Sequence, residues 1–335
     1  MVTSRYKEIR WGVLGVGDVC EVKSAPAMNL VDDSCLVAVM RRNEDLAGAY
    51  ARRHGVPKWY GDANALINDP DVNAIYIATP PNAHKELTLA AAAAGKPVYV
   101  EKPMARTYAE CQEMISACTA ANVPLFVAYY RRTLPHFVEI KKLLEASEIG
   151  NVRHVRVTLN QQFRPDVVRN LDNNWRVDPE IAGGGYFYDL ASHQFDLLDF
   201  LLGPIDMASG FVENQCGLYA AEDIVVASWR FTSGVLGSGT WCFTTSPLSQ
   251  MDEIVIVGSK GQIGFETFGE GKFELRTESR AEEIEFELPG HIQQFLIADI
   301  VDDLLGRGTS PSTGESAART NQVMEQIFRS PSNPA

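Results

Sequence analysis

Asp189 and His193 stand four residues apart in the segment Gly183-Gly184-Gly185-Tyr186-Phe187-Tyr188-Asp189-Leu190-Ala191-Ser192-His193. In a helix that spacing puts both side chains on one face. A carboxylate beside an imidazole is a workable acid/base unit: the imidazole titrates near neutral pH, and the carboxylate orients the ring or a substrate hydroxyl. The same pair on a solvated face would only stabilise the helix, and the motif alone leaves both readings open. A second candidate is Lys102, in the tripeptide Glu101-Lys102-Pro103 that follows the apolar run Pro97-Val98-Tyr99-Val100. An ammonium at a strand end can hydrogen-bond a substrate hydroxyl and stabilise alkoxide charge as it develops. A plain solvated lysine is the alternative. A lysine and a histidine together can supply the stabilisation usually asked of zinc, so no metal is expected.

A second group of residues has the chemistry of nucleotide binding. Gly15-Val16-Gly17-Asp18-Val19-Cys20 follows the first apolar run, and two glycines there let the backbone turn tightly and approach a pyrophosphate at a helix N-terminus. Cys20 occupies the place of a third glycine and is small enough for close helix–strand packing. In NAD-binding turns an acidic residue at the end of the second strand accepts from the ribose 2′-hydroxyl. Here the run Cys35-Leu36-Val37-Ala38-Val39-Met40 ends in Arg41-Arg42, which cannot accept that bond but can pair with a 2′-phosphate. NADP(H) is therefore expected ahead of NAD(H), the alternative being a solvated pair bonded to Glu44 or Asp45. The run Ala74 to Ala78 ends at Thr79-Pro80-Pro81-Asn82, where the prolines stop the strand and Asn82 can cap the next helix. Ligands of open α/β sheets bind outside the carboxyl ends of the strands, so Thr79, Pro80, Pro81, Asn82 and His84, with Glu101 and Lys102, form the candidate cofactor edge. His84 also reads as a surface helix residue.

The elements that must position these groups fall into two rhythms. From about Ile9 to Tyr130, short apolar runs alternate with helical segments, which specifies parallel strands with helical crossovers. After Gly150 the pattern turns to period two, with one long helix from about Gly185 to Leu202 and then strand after strand joined by Gly and Ser turns. The predicted fold is α/β: a doubly wound parallel sheet in residues 1–130, then an α+β domain with a large, open, mostly antiparallel sheet in residues 131–310. Residues 311–335 form a C-terminal helix able to pack back on the first domain. Apolar residues on both phases of Ile224–Phe231 and Glu253–Gly258 agree with a second buried sheet face.

Composition narrows the function classes. The 335 residues carry 30 Lys and Arg against 43 Asp and Glu, a net charge of −13 that repels phosphate backbones and anionic lipid. Neither nucleic acid nor membrane is an expected partner. The six cysteines show no CxxC pair and read as reduced thiols. The charged N-terminal segment runs straight into a strand, so the expected address is the cytoplasm.

Taken in order, Gly15-Val16-Gly17, Ala78–His84, Ala94–Pro103 and Ala182–Leu198 resemble the glucose-fructose oxidoreductase / inositol dehydrogenase / rhizopine catabolism (Gfo/Idh/MocA) family over nearly the whole chain. The resemblance implies a Rossmann domain followed by an open-sheet domain, with Lys102 as catalytic lysine and Asp189 and His193 as acid/base and substrate-orienting groups. It places Tyr129 and Arg131 beside the nicotinamide, with Arg132 able to replace Arg131. It also places Trp175 and Arg176 in a substrate-facing loop, where Arg176 could hold substrate hydroxyls or pair with Asp178. The implied reaction is reversible hydride transfer between NAD(P) and a secondary alcohol of a sugar, cyclitol or related polyol, in a homodimer or homotetramer joined through the second sheet. Two rival readings are a ligand-sensing regulator that binds NAD(P) without turnover and a glycosidase that uses NAD only transiently.

Overall fold

The computed structural model describes residues 6–163 and 174–330. The chain forms two compact units, Met1–Ala105 with Ala109–Thr133 and Pro289–Ala318, and Arg106–Tyr108 with Leu134–Leu288 and Arg319–Ala335. Residues 331–335 of the expected C-terminal segment lie outside the described residues.

The first unit is built on six strands: β1 Ile9–Leu14, β2 Ser34–Met40, β3 Lys58–Tyr60, β4 Ala74–Ile77, β5 Val98–Val100 and β6 Leu125–Val127. Their order is β3-β2-β1-β4-β5-β6, and every pairing is parallel. β4 shows why helices must cover both faces: Ala74, Ile75, Tyr76 and Ile77 are all fully buried, so neither phase of the strand can meet water. The order reverses at β1 and β4, the point where such sheets open a crevice at their carboxyl ends. The helix Glu44–His54 illustrates local agreement between sequence and structure. Asn43 caps it by accepting from Leu46 N–H, acidic residues fill its first turn and basic ones its last, and Gly55 ends it with φ of 68°.

Residues Pro289–Ala318 belong to this unit, which moves the expected boundary at 310. The reason is a set of long-range polar contacts. Gln293 is buried against Tyr99 and Glu101, and Ser312 Oγ donates to the Val127 carbonyl at 2.7 Å. Apolar periodicity marks the helix Gln294–Leu304 but carries no information about such bonds.

Among the described residues the second unit holds eight strands: β7 Val152–Asn160, β8 Ile205–Glu213, β9 Ile224–Phe231, β10 Leu236–Cys242, β11 Met251–Gly258, β12 Gly261–Phe265, β13 Lys272–Thr277 and β14 Ala281–Glu285. Their order is β14-β13-β12-β11-β7-β10-β9-β8, antiparallel except for β7 with β10. The inner face packs aromatic side chains onto the helix Ser192–Leu202: Phe195 lies 5.3 Å from Trp229 and 5.4 Å from Trp241 between ring centres. In β11 both phases are buried, whereas β9 alternates strictly and leaves Val226 44% exposed. The doubly wound sheet followed by a mostly antiparallel one is the architecture expected from the two rhythms. Among the described residues no helix is long and apolar enough to cross a membrane.

Candidate active site

The candidate residues divide between the two units. In the first, Gly15 ends β1 with φ of 92°, a conformation L side chains avoid, and a Cβ there would come within 2.8 Å of Thr79 Cγ2. The glycine turn and the end of β4 are thus brought together. The amides of Gly15 and Val16 both donate to the Met40 carbonyl, and the Val16 side chain is buried in the core. A Cβ on Gly17 would meet nothing within 4 Å, which leaves the backbone open at that point. The glycine turn leads into the five-residue helix Asp18–Val22. Cys20 packs tightly in the third position, its thiol pushed up to about 12 by burial, and is inert there.

Arg41 and Arg42 are exposed beyond β2, and neither guanidinium bonds to Glu44, Asp45 or any other described residue. The bond to Glu44 or Asp45 does not form, and both side chains are exposed. Thr79 Oγ1 is buried with no hydrogen-bond partner among the described residues. Asn82 does not cap the next helix: Pro81–Ala83 makes a 3₁₀ turn, and the α-helix starts at His84 with Ala83 before it. Nor is His84 on the surface. It is fully buried, with Nε2 2.8 Å from the Thr79 carbonyl and Nδ1 3.2 Å from those of Pro103 and Met104, and burial lowers its pKa. It ties the loop after β4 to the loop after β5 and is a support for the cofactor edge.

Glu101 is a support as well. Its Oε1 accepts from Tyr76 Oη at 2.6 Å and from Gln293 Nε2 at 2.7 Å, and Oε2 accepts from the Lys102 amide at 3.1 Å. Held by these three hydrogen bonds, the carboxylate fixes the backbone of Lys102, which is half-buried. Tyr129 is fully buried, and Arg131 is buried with its guanidinium 4.8 Å from the Tyr130 ring centre. Arg132 is buried as well and donates to the Pro311 carbonyl at 3.2 Å.

In the second unit the expected single helix is two pieces. Phe187–Ala191 is one π-helical turn, and the α-helix begins at Ser192. Such turns widen the helix locally and are frequent at functional sites. Asp189 sits in the π turn, and His193, 4% exposed, sits in the first turn of the helix with its ring edge-on to Phe268 at 5.8 Å. Arg176 does not pair with Asp178. Asp178 instead caps the helix Pro179–Ala182 by accepting from Glu180 N–H at 3.0 Å. Arg176 Nε lies 3.5 Å from Asp189 Oδ2, and its guanidinium covers the Trp175 ring at 4.5 Å. Asn174 donates to Tyr186 Oη at 3.1 Å, and Tyr186, Tyr219, Phe163 and Phe243 form an aromatic cluster with ring centres 5.7 to 6.0 Å apart.

Two buried residues carried no sequence signal. Gln293 links Tyr99 and Glu101 from 194 and 192 positions away. Glu222, pushed up to about 7 mainly by burial, accepts from Gly185 N–H at 2.8 Å. Among the described residues no group of three or more His, Cys, Asp or Glu could hold a metal ion.

A doubly wound parallel sheet with a glycine turn after its first strand is the architecture of dinucleotide-binding domains. Residues 9–129 match the model of the oxidoreductase family with an NAD-binding Rossmann fold, and residues 137–264 match the GFO/IDH/MocA C-terminal domain. The chain belongs to the GFO/IDH/MocA oxidoreductase family. It is 39% identical to oxidoreductase P35 of Formosa agariphila over 95% of this chain and 97% of that one. It is 31% identical to the myo-inositol 2-dehydrogenase of Thermotoga maritima over 68% of this chain and 67% of that one. The solved structure of levoglucosan dehydrogenase with NADH and levoglucosan superposes with a TM-score of 0.87 at 25% identity, covering 97% of both chains.

Proposed function

We propose that the chain carries out hydride transfer between NADP(H) and a secondary alcohol or ketone of a sugar, cyclitol or related polyol. The observation that carries the reading is Asp189 in the π turn with Arg176 against its carboxylate, four residues before the buried His193. The names of the relatives, an inositol dehydrogenase and a levoglucosan dehydrogenase, support polyol chemistry.

Gly15, Gly17, Asp18, Val19, Thr79, Pro80, Tyr129 and Arg131 are the residues assigned to hold the dinucleotide, with Arg41 and Arg42 on its 2′-phosphate. When bound, the nicotinamide supplies the hydride acceptor or donor. In the oxidative direction His193 takes the hydroxyl proton, and in reduction it returns it. The Lys102 ammonium stabilises the substrate oxygen as charge develops on it. Asp189 holds a neighbouring hydroxyl, and Arg176 and Trp175 line the same subsite.

The second reading is NAD(H), favoured by the NADH in the solved levoglucosan dehydrogenase. Titration with NADPH and with NADH, followed by energy transfer from the five tryptophans, separates the two. Tighter NADPH binding that is lost when Arg41 and Arg42 become Ala supports the first. Tighter NADH binding makes the arginines bystanders, and binding of neither to cofactor-free protein ends the oxidoreductase assignment. Sustained reduction or oxidation of nicotinamide with a polyol or ketose then distinguishes a dehydrogenase from a regulator or a transient-redox glycosidase.

A further inference from the structure

Glu222 precedes β9 and is 7% exposed, yet it takes no part in the reaction described above. Its Oε1 accepts from the Gly185 amide at 2.8 Å. The Gly185 carbonyl in turn accepts from the Asp189 amide at 3.3 Å, so a chain of two bonds runs from the carboxylate to the residue that pairs with Arg176. Gly185 has to be glycine for this contact. A Cβ would stand 2.8 Å from Ala221 Cβ, 3.0 Å from the Glu222 carbonyl and 3.1 Å from Oε1. The third glycine of the run thus admits a buried carboxylate to the first peptide of the catalytic turn. On the far side of that peptide, Tyr186 is held through its hydroxyl by Asn174, two residues before Arg176. Glu222 and Asn174 brace opposite ends of the Gly185-Tyr186 unit.

We propose that Glu222 is a positioning residue whose carboxylate, by accepting from the Gly185 amide, fixes the π turn so that Asp189 and His193 keep their working geometry. The inference rests on the proposed oxidoreductase reading. Ionisation strengthens the anchor, because an amide bond to a carboxylate is stronger than one to a carboxylic acid. Burial, with the negative charge of Asp223 adding to it, raises the Glu222 pKa to about 7, and the Gly185 amide and the residue's own amide act in the opposite direction. Tyr219 is the other titratable group facing it, and it is held neutral by burial and by Asp223 and Glu222. The anchor therefore tightens as pH rises through about 7.

The test uses Glu222→Gln, which keeps an acceptor of the same shape without a titration, and Glu222→Leu, which removes the acceptor. In glycine-labelled wild-type protein the Gly185 amide proton is expected to move with a midpoint near 7 and to be flat in the Gln variant. The Leu variant is expected to lose kcat by about tenfold or more while NAD(P)H binding and KM change little, since a buried bond to a charged group is lost. The Gln variant recovers most of that loss and has one fewer ionisation on the acid side of its kcat profile. A Gly185 amide that does not titrate in the wild type, or a folded Leu variant with kcat within twofold and an unchanged pH profile, overturns the proposal. If the wild type turns over no polyol with either nicotinamide, the oxidoreductase reading fails, and the Gly185 titration alone decides the anchor.

Discussion

Arg176 Nε lies 3.5 Å from Asp189 Oδ2 while the same guanidinium covers the ring of Trp175. The two side chains of the ion pair are 39% and 20% exposed, so the pair contributes little to stability and its value lies in orientation. Arg176→Ala is expected to raise KM for the polyol about tenfold, the loss typical of one charge-assisted contact, with a small change in thermal midpoint. Arg176→Lys should recover only part, because an ammonium keeps the charge but cannot stack its plane on Trp175 while pairing. Steady-state kinetics on the three proteins decides. An unchanged KM in the Ala variant would remove Arg176 from the substrate site.

Lys102 is fixed from below by Glu101, whose carboxylate is bonded to Tyr76, Gln293 and the Lys102 amide itself. A rigid backbone under a half-buried ammonium is what stabilisation of a developing alkoxide requires, since no reorganisation is then needed during the reaction. Lys102→Met keeps the length of the side chain and removes the charge. Turnover should fall by at least about a hundredfold while NADPH affinity stays nearly intact. Turnover near the wild-type rate would take the lysine out of the mechanism.

Much of the fold was legible because it depends on local pattern. The buried runs of β1, β2 and β4 and the period-two strands after Gly150 mark two sheets through side-chain alternation alone. Lys102, Asp189 and His193 could be read as candidates because their motifs are short and contiguous. What stayed hidden depends on contacts between distant residues. His84 reads as a solvated helix position until the loops at Thr79 and Pro103 close over it, and Gln293 and Glu222 meet their partners 192 and 37 positions away. The π turn was hidden too, since an i, i+4 spacing of Asp189 and His193 fits an unbroken helix equally well.

Asp299, on the helix Gln294–Leu304, is pushed up from 3.8 to about 6 by burial and by the charge of Asp302. Between those values the folded chain holds a proton that the unfolded chain has released, so this carboxyl makes stability fall as pH rises from about 4 to about 6. Asp299→Asn removes the ionisation. Its thermal midpoint is expected to exceed that of the wild type by about 2 °C at pH 8, after discounting for partial exposure, and to match it near pH 3.5. Scanning calorimetry at both pH values tests the sign: equal shifts at both would mean that charge burial is not the cause.

The outer face of the second sheet sets up the last prediction. Met207, Phe211, Val226 and Leu236 are 57%, 62%, 44% and 57% exposed on three adjacent strands, and Phe211 stands directly opposite Val226 across the β8–β9 pairing. Between these rows Ser209, Ser228 and Ser238 lie side by side across the same strands, small residues that allow another surface to approach closely. Four large apolar side chains on one open face are more than scattered exposure explains, and a second copy of the chain is the partner that would cover them. Phe211→Glu combined with Val226→Glu puts two carboxylates into that interface, where unpaired charge is costly to bury. Sedimentation should show a dimer or tetramer for the wild type and a monomer for the double variant, with NADPH affinity unchanged because the residues proposed to hold the dinucleotide belong to the other unit. A wild-type chain that sediments as a monomer would leave this face without the partner assigned to it.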